Sequence, residues 1–253
     1  MSGKSSLKSA LLALQFLTIV TLVPGLRAQR EELTASLSFF PLTGLLIGGL
    51  TAALVWALSD MAGPLITGTA AAVFLALITR GLHLDGLADS ADAVGSGAPA
   101  LKALEIMKDS CSGALGVIAV ICVLMLKAAS AVVLSENHAW QWLVLVPALS
   151  RFGLNCLSAA SCYARKEGGL GSPFCGPETR RPLAVAALTA LAAAWFLKGW
   201  QGVMVMALAA IASLAAAAWA RRRFGGVTGD LLGAHLEITE TWLLVAAAIM
   251  SRP

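Results

Sequence analysis

The chain has 253 residues, 58% of them hydrophobic and 13% charged, and its formal net charge is +4. With a mean hydropathy of +0.81, it lies outside the range of soluble globular proteins, and we expect an all-α polytopic transmembrane helical bundle. The basic residues stand in short clusters between apolar runs, which is typical of loops at one membrane face and not of a nucleic-acid-binding surface. The five cysteines are scattered without C-x-x-C spacing and indicate neither a zinc site nor a disulfide framework.

The apolar runs predict about seven spans in a single integral membrane domain, 1–253. A first apolar run, 7–23, is short for a full span, so we expect a short N-terminal helix that lies at the interface or enters the membrane partway. Gly44 and Gly48 form a Gly-x-x-x-Gly pair in the first span, which predicts close contact with a neighbouring helix. The spans are predicted at 36–58, 65–80, 113–134, 140–160, 183–198, 201–220 and 232–250.

The loops between these spans fall into two sets that differ in charge. The positive-inside rule places the basic set in the cytoplasm. We therefore expect a multi-pass protein of a bacterial cytoplasmic (inner) membrane, with every loop that carries candidate chemistry on the cytoplasmic side. The first set holds most of the Lys and Arg residues, and its members are called the basic loops below: 24–33, 81–111, 161–182 and 221–231. The turns with little charge are 60–64, 136–139 and 198–201.

The loop after the second span begins with an acidic segment, GLHLDGLADSAD at 81–92. In a helix, Asp85, Asp89 and Asp92 fall within roughly 40–60° of one another around the axis. Like charges on one stripe repel unless a cation neutralises them, and oxygen-only ligands suit Mg²⁺ or Mn²⁺. The segment predicts a metal-binding stripe, with a solvated helix face as the alternative.

Two cations, Lys127 and Arg151, lie inside predicted spans. Because an intramembrane cation rarely goes unpaired, each forms either an ion pair with the acidic stripe or with carbonyl groups, or a contact with substrate phosphate. Glu237 and Glu240 lie where the last span enters the membrane. They either do chemistry in a polar cavity, or reach the interface or pair with the arginines of 221–223.

A glycine-rich turn, 225–230, directly precedes the last span. Backbone N–H groups at a helix N-terminus can hold a phosphate, although this turn is not a Walker A loop. Together with the acidic stripe and the basic residues, the turn indicates a metal-dependent membrane enzyme of phosphoryl or phosphodiester transfer.

The acidic segment HLDGLADSAD resembles the signature of the cobalamin synthase (adenosylcobinamide-GDP ribazoletransferase) family. Ala93 departs from that signature, which usually has glycine there, and 111–116 departs from its Arg-x-Gly-Thr-aromatic-Gly continuation. Five further family motifs occur in family order: PLTG at 41–44, EIMKDS at 105–110, SR at 150–151, YAR at 163–165 and GVTGDLLGA at 226–234.

The resemblance implies the last joining step of coenzyme B12 assembly. In that step the 3′-hydroxyl of α-ribazole, or of its 5′-phosphate, attacks the cobinamide-bound phosphate of adenosylcobinamide-GDP. GMP leaves, and adenosylcobalamin or its 5′-phosphate forms with Mg²⁺ present. The lipid bilayer is a further partner, and the sequence allows a homo-oligomer and contacts with other cobamide-pathway enzymes.

The acid spacing and the resemblance together predict the site residues. Asp85, Asp89, Asp92 and Asp109 hold Mg²⁺, and one carboxylate, or His83, takes the proton of the attacking hydroxyl. The predicted substrate contacts are Glu105, Lys108, Lys127, Arg151, Arg165, Gly226, Thr228, Gly229 and Asp230.

Two other functions stay open at this point. A CDP-alcohol phosphotransferase of phospholipid synthesis also uses carboxylates in a membrane bundle, but the segment at 85–89 lacks the preceding aspartate and the Ala-Arg of that family's pattern. A cation transporter would use the acids as its ion path, but it predicts acids near mid-bilayer, and this sequence has them at span ends.

Overall fold

The computed structural model describes residues 3–109 and 111–252, and it is built from α-helices. Within those residues there is no β-strand, only an isolated parallel bridge between Tyr163 and Val227. The predicted all-α fold is confirmed. The helices are α1 (Gly3–Leu17), α2 (Arg30–Ser36), α3 (Phe40–Ser59), α4 (Pro64–Ile78), α5 (Leu82–Gly95), α6 (Ala100–Ile106), α7 (Ala114–Glu136), α8 (Trp140–Ala160), α9 (Arg180–Phe224) and α10 (Gly229–Met250).

Five helical stretches are long and apolar enough to cross a membrane: 30–59, α7, α8, 177–224 and α10. The pair α4 and α5, bent by 91°, makes a sixth if it counts as one broken span. The predicted multi-pass bundle is therefore confirmed, and the acidic segment lies on the far side of the bend. The N-terminal apolar helix is shorter than a span, as predicted.

Helix α9 folds back on itself at Gly199, where the backbone leaves helical geometry with φ 56° and ψ −139°. A Cβ on Gly202 would lie 2.3 Å from the carbonyl oxygen of Ala194, although a straight helix separates two such positions by about 12 Å. The halves 180–198 and 200–224 thus pack against each other. They correspond to the two spans predicted on either side of 198–201.

Helix α8 lies at the centre of the bundle and packs against α3, α9 and α10. Helix α3 approaches it through the predicted glycine pair. A Cβ on Gly44 would lie 2.4 Å from the carbonyl oxygen of Pro147, and one on Gly48 would lie 2.4 Å from that of Val144. The predicted helix-contact role of both glycines is confirmed.

The four basic loops meet at one end of the bundle. Arg30 donates a hydrogen bond to the Ser172 hydroxyl over 3.1 Å, which joins loop 24–33 to loop 161–182. Loop 161–182 in turn pairs with loop 81–111 through Glu167 and Lys108, and with 221–231 through Arg165 and Asp230. Their predicted placement at one end is confirmed.

The glycine contact predicts a difference between two neighbouring substitutions. Gly48→Ala should lower the free energy of unfolding of the detergent-solubilised protein by about 1–3 kcal/mol, and with it the melting temperature. The reason is that the added methyl group meets the α8 backbone. Gly49→Ala is the matched control, since a Cβ there has no neighbour within 4 Å. Equal melting temperatures for the two variants would contradict the α3–α8 contact.

Candidate active site

The acidic stripe lies on α5, just after the bend. Gly81, with φ +67°, occupies the left-handed conformation that lets the chain turn by 91° between α4 and α5. On α5, Asp85 is exposed and Asp89 and Asp92 are half-buried, whereas His83 is buried. The three carboxylates therefore project from a helix whose other face packs into the bundle, as their spacing predicts.

Helix α10 packs directly against α5 at two glycines. A Cβ on Gly86 would lie 2.8 Å from the carbonyl oxygen of Asp230, and one on Gly233 would lie 3.2 Å from Cα of His83. This close approach brings Asp230 to the stripe, and Asp85, Asp92 and Asp230 all act electrostatically on Asp89. The site is therefore strongly anionic.

Arg165 supplies the nearest positive charge. Its Nη2 lies 2.8 Å from Oδ2 of Asp230, and both side chains are largely buried. Arg165 also acts electrostatically on Asp89. One guanidinium thus faces a group of carboxylates, and the excess negative charge favours a cation at this place.

Asp92 serves a different structural purpose from Asp85 and Asp89. Its two carboxylate oxygens accept hydrogen bonds from the backbone N–H groups of Gly113 and Gly116 over 2.6 and 2.8 Å. These groups lie at the start of α7, so Asp92 neutralises that helix N-terminus. Both N–H groups belong to residues 111–116, the segment that departs from the family pattern.

The predicted ligand Asp109 is exposed and accepts a hydrogen bond from the backbone N–H of Cys111 over 3.0 Å. Its neighbour in the motif, Ser110, lies outside the described residues. The structure brings Asp85, Asp89, Asp92 and Asp230 together. The described residues show no hydrogen bond from Asp109 to that group, and its role as a metal ligand stays a prediction.

In the part of the chain that the structure describes, no three His, Cys, Asp or Glu side chains stand close enough to hold a metal ion by themselves. Mg²⁺ is usually held by one or two carboxylates together with substrate phosphates. Asp85 and Asp89 offer oxygen ligands of that kind, and neither carboxylate accepts a hydrogen bond within the described residues. The donor set thus fits Mg²⁺ bound jointly with a phosphate, and the predicted ligand set stays a prediction.

The glycine-rich turn before α10 is held by loop 161–182. Val227 donates to the Cys162 carbonyl over 2.9 Å and accepts from the Ala164 N–H over 2.8 Å. A Cβ on Gly226 would lie 2.3 Å from that same Cys162 carbonyl oxygen, so glycine is required for the contact. Thr228 is fully buried and accepts from the Leu231 N–H over 3.2 Å, which caps α10.

Gly229 is itself covered by this loop, because a Cβ on Gly171 would lie 2.8 Å from the Gly229 Cα. The turn therefore fixes Asp230 in place by backbone contacts. A phosphate cradle formed by Gly226, Thr228 and Gly229 stays a prediction.

Two other predicted substrate contacts form exposed ion pairs. Glu105 pairs with Lys102 over 3.0 Å within α6. Lys108 pairs with Glu167 of the loop 161–182, and its hydrogen bond holds the pKa of the Glu167 carboxyl below its usual range. Both pairs lie at the loop end, and substrate contacts of Glu105 and Lys108 stay predictions.

Lys127 and Arg151 lie in a buried network between α7, α8 and α10. Lys127 Nζ is 2.6 Å from Oε2 of Glu237 and 2.6 Å from Oε1 of Glu240. Arg151 Nη1 donates to the other oxygen of Glu240, which also accepts from the Ser150 hydroxyl over 3.1 Å. No charged side chain of the network is more than 5% exposed.

These contacts decide between the alternatives left open by the sequence. The ion-pair interpretation of Lys127 and Arg151 is confirmed, but their partners are Glu237 and Glu240, not the acidic stripe. The alternative pairing of the two glutamates with 221–223 is wrong. Because both cations are buried and paired, neither reaches a substrate at the loop end in this structure.

His83 is buried on α5 where that helix packs against α10. The imidazole is 4% exposed, and its Nδ1 has no partner among the described residues. Arg151, Glu240 and Lys127 all act on it electrostatically. The role of His83 as a proton acceptor stays a prediction.

The comparison with known proteins gives a single family. The model of the cobalamin-5-phosphate synthase family matches residues 9–248. The chain belongs to this family. Its relatives include three proteins named adenosylcobinamide-GDP ribazoletransferase. The one from Syntrophobacter fumaroxidans is 41% identical over 94% of this chain and 97% of its own length. The one from Pseudomonas syringae is 39% identical over 94% and 98%, and the one from Geotalea daltonii is 36% identical over 92% and 94%. No solved structure matches the chain.

The structure adds one site candidate that the sequence did not indicate. Arg80 directly precedes the acidic segment 81–92, and it borders a cavity of 470 Å³ together with Asp85 and Ser112. Its φ of +55° is unusual for a residue other than glycine. One guanidinium nitrogen donates to the carbonyl of Gln15 over 3.1 Å. In the sequence Arg80 is a lone cation at the end of a span, a feature that the interfacial anchoring of membrane helices also produces.

The buried network predicts the effect of removing its lysine. Lys127→Met leaves two glutamates facing one arginine, and it should destabilise the protein by about 3–5 kcal/mol in thermal unfolding. Lys127→Met with Glu237→Gln restores charge balance and should recover most of that loss. Lys102→Met, at an exposed pair, should cost about 1 kcal/mol or less.

If the double variant is no more stable than Lys127→Met, charge balance is not what holds these helices together.

Proposed function

We propose that this chain transfers the adenosylcobinamide phosphate of adenosylcobinamide-GDP to the 3′-hydroxyl of α-ribazole 5′-phosphate, or of α-ribazole, and releases GMP. The hydroxyl oxygen bonds to the cobinamide-bound phosphorus, and the bond from that phosphorus to the GMP oxygen breaks. The hydroxyl proton passes to a carboxylate. The observation that carries the proposal is the group of Asp85, Asp89 and Asp230 beside Arg165, at the end where four loops meet. Each of these residues lies in one of the family motifs.

The acidic and the basic residues have different roles in this reaction. Asp85 and Asp89 would hold Mg²⁺ together with the substrate pyrophosphate, and the bound ion would neutralise part of the phosphate charge. Arg80 and Arg165 contact the phosphate oxygens from either side of the stripe, since Arg80 shares a cavity with Asp85 and Arg165 pairs with Asp230. Asp89 or Asp85 accepts the proton.

The family description favours the phosphorylated acceptor, because it names cobalamin-5-phosphate as the product. We therefore propose α-ribazole 5′-phosphate as the first substrate to test. Neither the family nor the relatives named above favour a CDP-alcohol phosphotransferase or a cation transporter. Assembly with a second copy or with other cobamide-pathway enzymes stays a prediction.

The activity test uses the purified chain in liposomes with adenosylcobinamide-GDP, α-ribazole 5′-phosphate and Mg²⁺. We expect release of GMP with formation of a cobamide, and loss of both on addition of EDTA. Asp89→Asn should lower turnover about 100-fold or more, because it removes a charged ligand or base. Asp60→Asn, an exposed acid in the turn after α3, is the matched control and should keep full activity.

Activity that resists EDTA would overturn the role of Mg²⁺, and full turnover by Asp89→Asn would overturn the assignment of the stripe. Absence of any product from folded protein would overturn the reaction itself.

The proposed orientation, with the site facing the cytoplasm of a bacterial inner membrane, is tested by thiol labelling in whole cells. Cys162 is exposed in loop 161–182, at the site end. A membrane-impermeant maleimide should label it only after the cells are permeabilised. Burial raises the pKa of Cys175 in the same loop to about 12, so its thiolate is scarce at neutral pH and it should stay unlabelled either way.

A cysteine introduced at Asn137, in the exposed turn at the opposite end, should show the reverse and react in intact cells. Labelling of Cys162 in intact cells would contradict the orientation.

A further inference from the structure

A long apolar groove lies on the side of α5 that faces away from the acidic stripe. Its volume is 1130 Å³, and its walls come from α5, α7, the second half of α9 and α10. Large apolar side chains at its walls remain 44–64% exposed in the structure, among them Ile211, Trp219 and Trp242. Because three of these helices belong to spans, the open side of the groove faces membrane hydrocarbon.

The groove is long enough to hold a lipid acyl chain. Along α10 it extends from Leu231 to Ala246, which is about 22 Å of helix. One leaflet of hydrocarbon is about 15 Å thick. Five alanines of the second half of α9 line the groove, and their small side chains leave room for an extended acyl chain.

One polar group in the groove has no partner. The Ser90 side chain is 5% exposed, and its hydroxyl has no hydrogen bond among the described residues. It lies towards the loop end, where Ala220 and Val227 also line the groove. The other polar side chain of note, His235, is already bonded to Ser213 over 2.8 Å. An occupant with a hydrogen-bond acceptor near the membrane surface would satisfy Ser90.

An arginine lies just beyond the groove, on its side towards the loops. Leu208, Ala212, Ala215 and Trp219 line it at helical spacing on α9, and the next position on that stripe is Arg222. Arg222 is exposed and has no hydrogen bond or ion pair among the described residues. An anionic head group above the groove would meet this guanidinium.

From these observations we infer that this apolar groove is a binding site for an anionic phospholipid. One acyl chain lies along α10, an ester carbonyl accepts from Ser90, and the head-group phosphate contacts Arg222. The site lies across α5 from the carboxylates and is separate from the proposed reaction.

The test titrates the full chain in detergent with phosphatidylglycerol that carries brominated acyl chains, which quench nearby tryptophans. Trp219 and Trp242 line the groove. We expect saturable quenching at about fivefold lower lipid concentration than with brominated phosphatidylcholine. One arginine near an anionic lipid surface gives a difference in affinity of about this size. In a variant with Trp219→Phe and Trp242→Phe, the saturable component should disappear.

Two variants with matched controls locate the lipid. Arg222→Gln should remove the preference for phosphatidylglycerol, and Arg180→Gln, an exposed arginine at the start of α9, should keep it. Ala212→Phe fills the groove and should weaken binding at least threefold, whereas Leu214→Phe, which is exposed outside the groove, should not. Size-exclusion elution checks that each variant is folded.

Equal quenching by the two lipids, or unchanged binding in both Ala212→Phe and Arg222→Gln, would overturn the inference. So would a change of oligomeric state in Ala212→Phe with no change in lipid binding, since the groove would then be a contact between copies of the chain.

Discussion

Four charged side chains buried between α7, α8 and α10 constrain the whole bundle. Lys127 and Arg151 are neutralised by Glu237 and Glu240, and each is nearly inaccessible. In an apolar environment a charge without its partner is costly, so these helices can pack only in the register that pairs all four. The network thereby fixes where α10 begins and how deep it lies.

The position of α10 determines the site. Because Gly86 and Gly233 allow α5 to contact α10 closely, the acidic stripe lies beside Asp230, at the first turn of α10. Loop 161–182 then covers that turn and places Arg165 on Asp230. A network deep in the bundle thus holds a surface group of carboxylates in place without contacting a substrate.

The sequence predicted the spans, the common end of the basic loops and the helical stripe, because hydropathy and helical spacing are local properties. It also predicted the α3 glycine contact. It did not predict which charges pair, since Lys127 and Glu240 are far apart in sequence and meet only after packing. For the same reason it assigned Asp92 to a metal without its bonds to α7, and it gave no role to Arg80.

The proposed function requires that a metal ion and the substrate pyrophosphate bind together between α5 and the start of α10. The most direct measurement replaces Mg²⁺ by Fe²⁺ in the presence of adenosylcobinamide-GDP, ascorbate and peroxide, and maps where the backbone is cut. We expect cuts close to Asp85 and Asp89 and close to Asp230, suppressed by excess Mg²⁺ and absent when Asp85 and Asp89 are both changed to Asn. Cuts elsewhere, or cuts that persist in that variant, would contradict the account.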